Sequence, residues 1–248
     1  EEAAAQGLVA GLNASLAMRG QPPLALRRDN SYIGVMIDDL VTTGTDEPYR
    51  MMTGRAEYRL CLRQDNADTR LTPEGYRVGL AGEKRMRLLR KKRAALEKGR
   101  ALLGVTVPKE ETEGIFAETG MPVPASGITY GGLMRRPEVS ADMIKRHCSA
   151  LSFLSPSEAE ELFTDVRYEG YLARQEKARE ESVRLENMRI PGDTDYMSMH
   201  GLRREAAEKL DKVRPMTVGQ ASRIPGVNPA DINVLIIKLK AAAKKEND

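Results

Sequence analysis

Apolar positions recur at helical spacing over most of this chain, and that pattern sets the elements to expect. Residues 1–14, Glu1-Glu-Ala-Ala-Ala-Gln-Gly-Leu-Val-Ala-Gly-Leu-Asn-Ala14, read as a helix interior with small residues at 3, 4, 7, 11 and 14. Small side chains on one face admit a close neighbour, such as a sheet or a ligand. With no start Met and no cap ahead of it, the chain is expected to begin inside a larger protein. Gly20-Gln-Pro-Pro23 breaks this helix. Tyr32-Ile-Gly-Val-Met-Ile-Asp-Asp-Leu-Val41 is rich in β-branched residues, which predicts a short strand at 32–41. Over 46–71, Leu60 and Leu62 alternate with Arg59, Cys61 and Arg63, so strand and helix compete.

Thr72-Pro73 reads as a cap followed by a first helical residue. A long helix from about 82 to 103 follows, with Leu88, Leu89, Leu96 and Leu103 at helical spacing. Residues 104–127 hold four Gly and three Pro and read as a loop with short elements. Ser140 caps a helix ending near Cys148. Another starts at Ser155-Pro156 and runs without Pro to about Met188, with Gly170 costing on the order of 1 kcal/mol against Ala. Ile190-Pro-Gly-Asp193 stops it. In the last sixty or so residues, Leu202, Ala206, Leu210 and Val213 predict an amphipathic helix, Thr217 caps a short one, and Asn228 or Pro229 starts the last. Residues 244–248 form a solvated tail. The expected class is mainly α, a helical bundle with one short strand, divided at 1–19, 20–150, 151–190 and 191–248.

Composition fits: 41% of residues are hydrophobic, 30% charged and 4% aromatic, so the core must come from Leu, Ile, Val, Ala and Met. The net charge of +3 says little, but its distribution is uneven. Residues 83–100 carry nine Lys or Arg against Glu83 and Glu97, while 110–118 and 157–165 are acidic. That asymmetry raises the case for a polyanionic partner. Cys61 and Cys148 are too few for a disulfide framework, and with His147 and His200 as the only histidines no metal site is expected. No apolar run approaches a membrane span, and no signal peptide is present, so the expected setting is the cytoplasm.

No glycine-rich phosphate loop and no His–carboxylate–nucleophile set appears. Asp38-Asp39 is a paired carboxylate, and with Arg50, Arg55, Arg59, Arg63 and Arg70 downstream the expected role is pairing with arginine. Those five arginines admit two readings. Guanidinium groups bind phosphate and stack on unpaired bases, with Tyr49 and Tyr58 beside them; alternatively they form an internal network with Asp38, Asp39, Glu47, Asp65 and Asp68. On a helix, Arg55 and Arg59 would share a face. The basic run, with Arg90 and Lys91, either lies along a nucleic-acid backbone or is a solvated face. Residues 221–232, Ala-Ser-Arg-Ile-Pro-Gly-Val-Asn-Pro-Ala-Asp-Ile, weakly resemble a DNA-binding helix-hairpin-helix; a purely protein-binding adaptor is a third reading.

Four stretches in order resemble the carboxy-terminal portion of the MnmG (GidA) family. They are Glu1–Gly7; Tyr32–Leu40 with Glu47-Pro-Tyr-Arg50, Arg55-Ala-Glu-Tyr-Arg59, Asp65-Asn-Ala-Asp68 and Arg70-Leu71; Tyr168-Glu-Gly-Tyr171 with Arg189-Ile-Pro191 and Asp195-Tyr196; and Arg214-Pro215 with Gly219-Gln-Ala-Ser-Arg223 and Gly226-Val227. The resemblance implies a homodimeric enzyme that modifies tRNA wobble uridine at C5, using FAD, NADH and methylene-tetrahydrofolate with the GTPase partner MnmE. It implies that residues 1–19 end an FAD-binding domain, with Glu1 and Glu2 near the flavin. Arg50, Arg55, Arg59, Arg90 and Lys91 would face tRNA, and Gln220, Arg223 and Lys238 would contact MnmE. This chain by itself is then expected to be non-catalytic.

Overall fold

The computed structural model describes residues 1–245, those from 242 on by their backbone alone. Among them run eleven α-helices: α1 Glu2–Met18, α2 Tyr32–Thr42, α3 Ala67–Arg77, α4 Glu83–Leu102, α5 Lys109–Thr119, α6 Tyr130–Met134, α7 Ala141–His147, α8 Pro156–Asn187, α9 Arg204–Val213, α10 Val218–Arg223 and α11 Pro229–Lys245. Pairing of extended backbone among the described residues amounts to two isolated bridges, Thr106–Thr129 and Arg189–Thr217. The class is mainly α, as expected.

The predicted strand at 32–41 is instead helix α2. Ser31, in extended conformation, accepts the Gly34 N–H at 2.9 Å and closes the first turn. Gly34, Val35 and Met36 are then buried together. The β-branched residues Ile33, Val35, Ile37 and Val41 carried a strand preference that capping and burial overrode. Arg55 and Arg59 share no helix face either, since only 53–55 makes a single 3-10 turn in that segment.

Thr72-Pro73 does not open a helix; α3 starts at Ala67 and holds Pro73 inside it. Proline cannot donate to the carbonyl four residues back. That carbonyl, Thr69 O, accepts instead from Arg93 Nη2 at 2.8 Å, so α4 supplies the missing donor. The expected loop at 104–127 contains α5. There Gly114 admits the His147 ring, whose Nδ1 would lie 2.8 Å from an added Cβ.

The chain forms two units, and their boundaries differ from those expected at 19, 150 and 190. One comprises 18–24 and 60–174; the other 1–17, 25–59 and 175 onward. The division falls inside α8 because one unbroken helix serves two cores. In its first part Leu162, Phe163 and Val166 pack with Leu96, Ile115, Phe116, Leu133, Ile144 and Leu151. Beyond it, Leu185 and Met188 pack on Tyr196, Ala206, Leu210, Val218, Ala221, Ile232 and Leu235. The helices expected from Ser140, Ser155, Thr217 and Asn228 all occur; Thr217 accepts from Gln220 N and Ser140 from Met143 N. Of the expected solvated tail, 244–245 continue α11 and 246–248 lie outside the described residues.

Candidate RNA-binding loop and its ionic support

After α2 the chain leaves regular structure until α3, and this stretch carries Arg50, Arg55 and Arg59. Buried Ala56 and Tyr58 anchor it. Alternating with these anchors, Arg55, Glu57 and Arg59 are exposed. Arg50 is 75% exposed, its Nη1 3.8 Å from Glu2 Oε2. Arg55 is 49% exposed, 3.6 Å from Asp39 Oδ2, with its guanidinium 4.8 Å over the Tyr49 ring. Arg59 is exposed and makes no hydrogen bond or ion pair with the described residues. Pairs this long and this solvated exchange easily for a better anion. Arg63 and Arg70 differ: Arg63 is 15% exposed and binds Asp65 and Asp165, and Arg70 bonds Asn66 and the Arg63 carbonyl. The five arginines thus divide, three outward and two internal.

The Asp38-Asp39 pair serves arginines, as expected, but mainly two that the sequence did not single out for it. Arg28 reaches Asp38 at 3.2 Å and Asp39 at 2.5 Å. Arg223 grips Asp38 with two bonds, of 2.7 and 2.9 Å, and meets Glu186 at 2.5 Å. Burial disfavours the Arg28 charge, yet Glu57 and Asp39 outweigh it and hold the guanidinium more firmly protonated than usual. Burial, and then its bond to Asp39, raise the Tyr49 phenol well above its ordinary range, so the hydroxyl stays a donor. A 290 Å³ cleft borders this network, lined by Arg28, Asp38, Glu186, Arg189, Gln220 and Arg223. Arg28 escaped notice because an Arg-Arg-Asp run before Ser31 has no functional signature.

Glu2 accepts the Met51 N–H at 3.1 Å, which is the main reason its carboxyl sits below the ordinary range. Glu2 is thereby a tether for the 50–51 backbone, with Arg50 Nη1 at 3.8 Å from its other oxygen. On the outer side of α1, nothing lies within 4 Å of a Cβ built at Gly7 or Gly11.

The basic run on α4 splits by face. Lys92 joins Asp68 and Glu161 at 2.7 Å each, and Arg100 joins Asp165. Arg90 is exposed and pairs with Glu83 at 2.7 Å, while the exposed Lys91 side chain makes no hydrogen bond or ion pair among the described residues. In the carboxy-terminal bundle, Lys238 and Ile237 are exposed. Gln220 accepts the Met216 N–H, and Arg223, only 18% exposed, is committed to Asp38 and Glu186. Arg223 thus ties α10 to Asp38 and Glu186. At the 221–232 hairpin, Lys209 Nζ stands 2.1 Å from a Cβ built at Gly226, and Arg203 donates to the Gly226 carbonyl at 2.8 Å. Burial raises the Cys148 thiol to about 12. Among the described residues no cluster could hold a metal, and no helix is long and apolar enough to cross a membrane.

Two family models match the chain: the tRNA modifying enzyme MnmG/GidA C-terminal helical domain over residues 83–176, and the MnmG/GidA C-terminal helical bundle over 178–248. Their junction falls close to the division inside α8. The tRNA uridine 5-carboxymethylaminomethyl modification enzyme MnmG of Pelobacter propionicus is 49% identical over 98% of the chain. Its namesake from Caldicellulosiruptor saccharolyticus is 46% identical over 98%. The chain spans 39% of the length of each of these relatives. The crystal structure of Aquifex aeolicus GidA, form II, superposes with a TM-score of 0.77 at 40% identity, over 96% of this chain and 38% of that one.

Proposed function

Because the chain belongs to the MnmG/GidA family and matches its C-terminal helical region, we propose that it holds tRNA for a wobble-uridine modification enzyme through the loop at 50–59. The observation that carries this reading is Arg59, exposed and unpartnered among the described residues, on a loop that also turns Arg50 and Arg55 outward. Outward guanidinium groups, one of them over the Tyr49 ring, match a phosphate backbone with unpaired bases, as an anticodon arm offers. Exposed Arg90 and Lys91 on α4 are a separate pair of cations suited to RNA phosphates.

Replacing Arg59 with Ala in the full-length protein is expected to weaken binding of an unmodified tRNA transcript roughly tenfold. It should also lower the salt slope by about 0.9, the mark of one lost phosphate contact. FAD content should not change. Unaltered affinity in a titration across salt concentrations would remove the basis for this reading.

The same proposal gives the full-length enzyme FAD, NADH and methylene-tetrahydrofolate, a homodimeric state and a cytoplasmic setting. Docking of the GTPase MnmE is assigned to the bundle at 191–248, through exposed Ile237 and Lys238 and half-buried Gln220. Replacing Ile237 with Ser together with Lys238 with Glu is expected to weaken MnmE association roughly tenfold, measured by calorimetry, at unchanged melting temperature. Wild-type affinity in that double variant would place docking elsewhere.

A further inference from the structure

We propose that Arg28 is a positioning residue for RNA binding: its guanidinium locks the loop that carries Arg55 and Arg59 onto the acidic end of α2. The inference rests on the reading of 50–59 as the RNA-facing segment and deepens it.

Arg28 is 11% exposed, against 75% for Arg50 and 49% for Arg55, so its fork is turned inward rather than offered to RNA. All its donor nitrogens are engaged. Nε and Nη2 reach the Glu57 carboxylate at 3.2 and 2.7 Å, and Nη2 also donates to the Arg55 carbonyl at 3.1 Å. On its other side, Nη1 donates to the Val35 carbonyl at 3.2 Å and to Asp38 and Asp39 at 3.2 and 2.5 Å. One planar group therefore fastens the backbone between two outward arginines to the end of a helix.

The clamp continues through Asp39. That carboxylate accepts the Tyr49 hydroxyl at 2.7 Å and stands 3.6 Å from Arg55, whose guanidinium lies over the Tyr49 ring. Arg28 thus fixes Asp39, and Asp39 orients the Tyr49–Arg55 pair. A single 3-10 turn is the only helix in this loop, so its shape depends on such side-chain bonds. Ordering a cation beforehand lowers the entropy lost when RNA binds. The job suits arginine: a lysine carries the charge but lacks a planar fork to span both sides.

Two variants test this in the full-length protein with a tRNA transcript, titrated across salt concentrations. Glu57→Gln removes a negative charge beside the loop, so electrostatics alone predicts tighter RNA binding; the clamp predicts the opposite. The expected result is binding weaker by roughly tenfold with a salt slope lower by about 0.9, as if one phosphate contact were misplaced. Arg28→Lys should weaken binding similarly although net charge is kept. A purely structural role would reduce the folded fraction but leave the affinity and salt slope of the folded protein unchanged. Either tighter or unchanged binding by Glu57→Gln, or wild-type affinity in Arg28→Lys, overturns the proposal, provided that Arg59→Ala weakens binding. If Arg59→Ala binds as well as wild type, the RNA reading itself fails and this inference fails with it.

Discussion

Replacing Lys92 with Ala should destabilise the protein by roughly 3 kcal/mol at neutral pH, because it strands a carboxylate in the interior. Glu161 sits on α8 with its side chain 4% exposed, and Lys92 Nζ lies 2.7 Å from its Oε2. This is an ion pair without well-aligned hydrogen-bond geometry, and Oε2 has no hydrogen-bond partner among the described residues. The ammonium is shared with Asp68 at 2.7 Å and with the Asp65 carbonyl at 2.8 Å. Burial raises the Glu161 carboxyl above its ordinary value of 4.5, and Lys92 partly opposes this. A raised acid favours the folded state fully below its unfolded value, and that contribution is lost as pH rises through the folded value. In the Lys92→Ala variant the rise should be larger. The stability deficit should therefore shrink on acidification from about pH 7.5 to about pH 5. Thermal melts across that range measure it; a deficit below about 1 kcal/mol, or one that grows on acidification, would contradict the buried-pair account. Adding Glu161→Leu to Lys92→Ala should restore most of the loss, since no buried charge then remains.

Gly34→Ala is the second large effect, expected at roughly 3 kcal/mol or more. A Cβ at this position would lie 2.2 Å from the Arg27 carbonyl oxygen and 2.5 Å from its carbon. Both atoms are backbone, so no side-chain rotation relieves the clash. The chain at 27 must move away from α2, and Arg28 moves with it. The variant should therefore also bind a tRNA transcript more weakly at a temperature where it remains folded. A melting curve and an RNA titration on the same sample check the two consequences. A wild-type melting temperature would mean that α2 and the 27–28 backbone separate freely.

Several elements were legible in the residues because their signals are local. Ser140, Thr217 and the Ser155-Pro156 step announce helix starts through bonds made within three or four residues, and all three occur. The long α4 follows from the spacing of its leucines, and α8 from its Ser-Pro start and the lack of any Pro before Met188. Where a local signal was ambiguous it misled: β-branched residues over 32–41 predicted a strand, but Ser31 capping and the burial of Gly34 against Arg27 made a helix. Thr72-Pro73 looked like a start because the donor that completes the turn around Pro73 comes from Arg93, twenty-four residues beyond the Thr69 carbonyl that accepts it.

The functional reading divides in the same way. By its own order of residues the sequence determined a mainly helical chain, its kinship with MnmG/GidA, and a loop dense in arginine. It did not determine which arginines are available. Arg50, Arg55 and Arg59 face outward while Arg28, Arg63 and Arg223 turn inward, and this depends on carboxylates brought near by packing, as when Arg223 meets Asp38 across 185 positions of chain. Helix preference and capping act over one or two turns and are written in neighbouring residues. The free or engaged state of a charge depends on which opposite charges tertiary packing sets within a few ångströms.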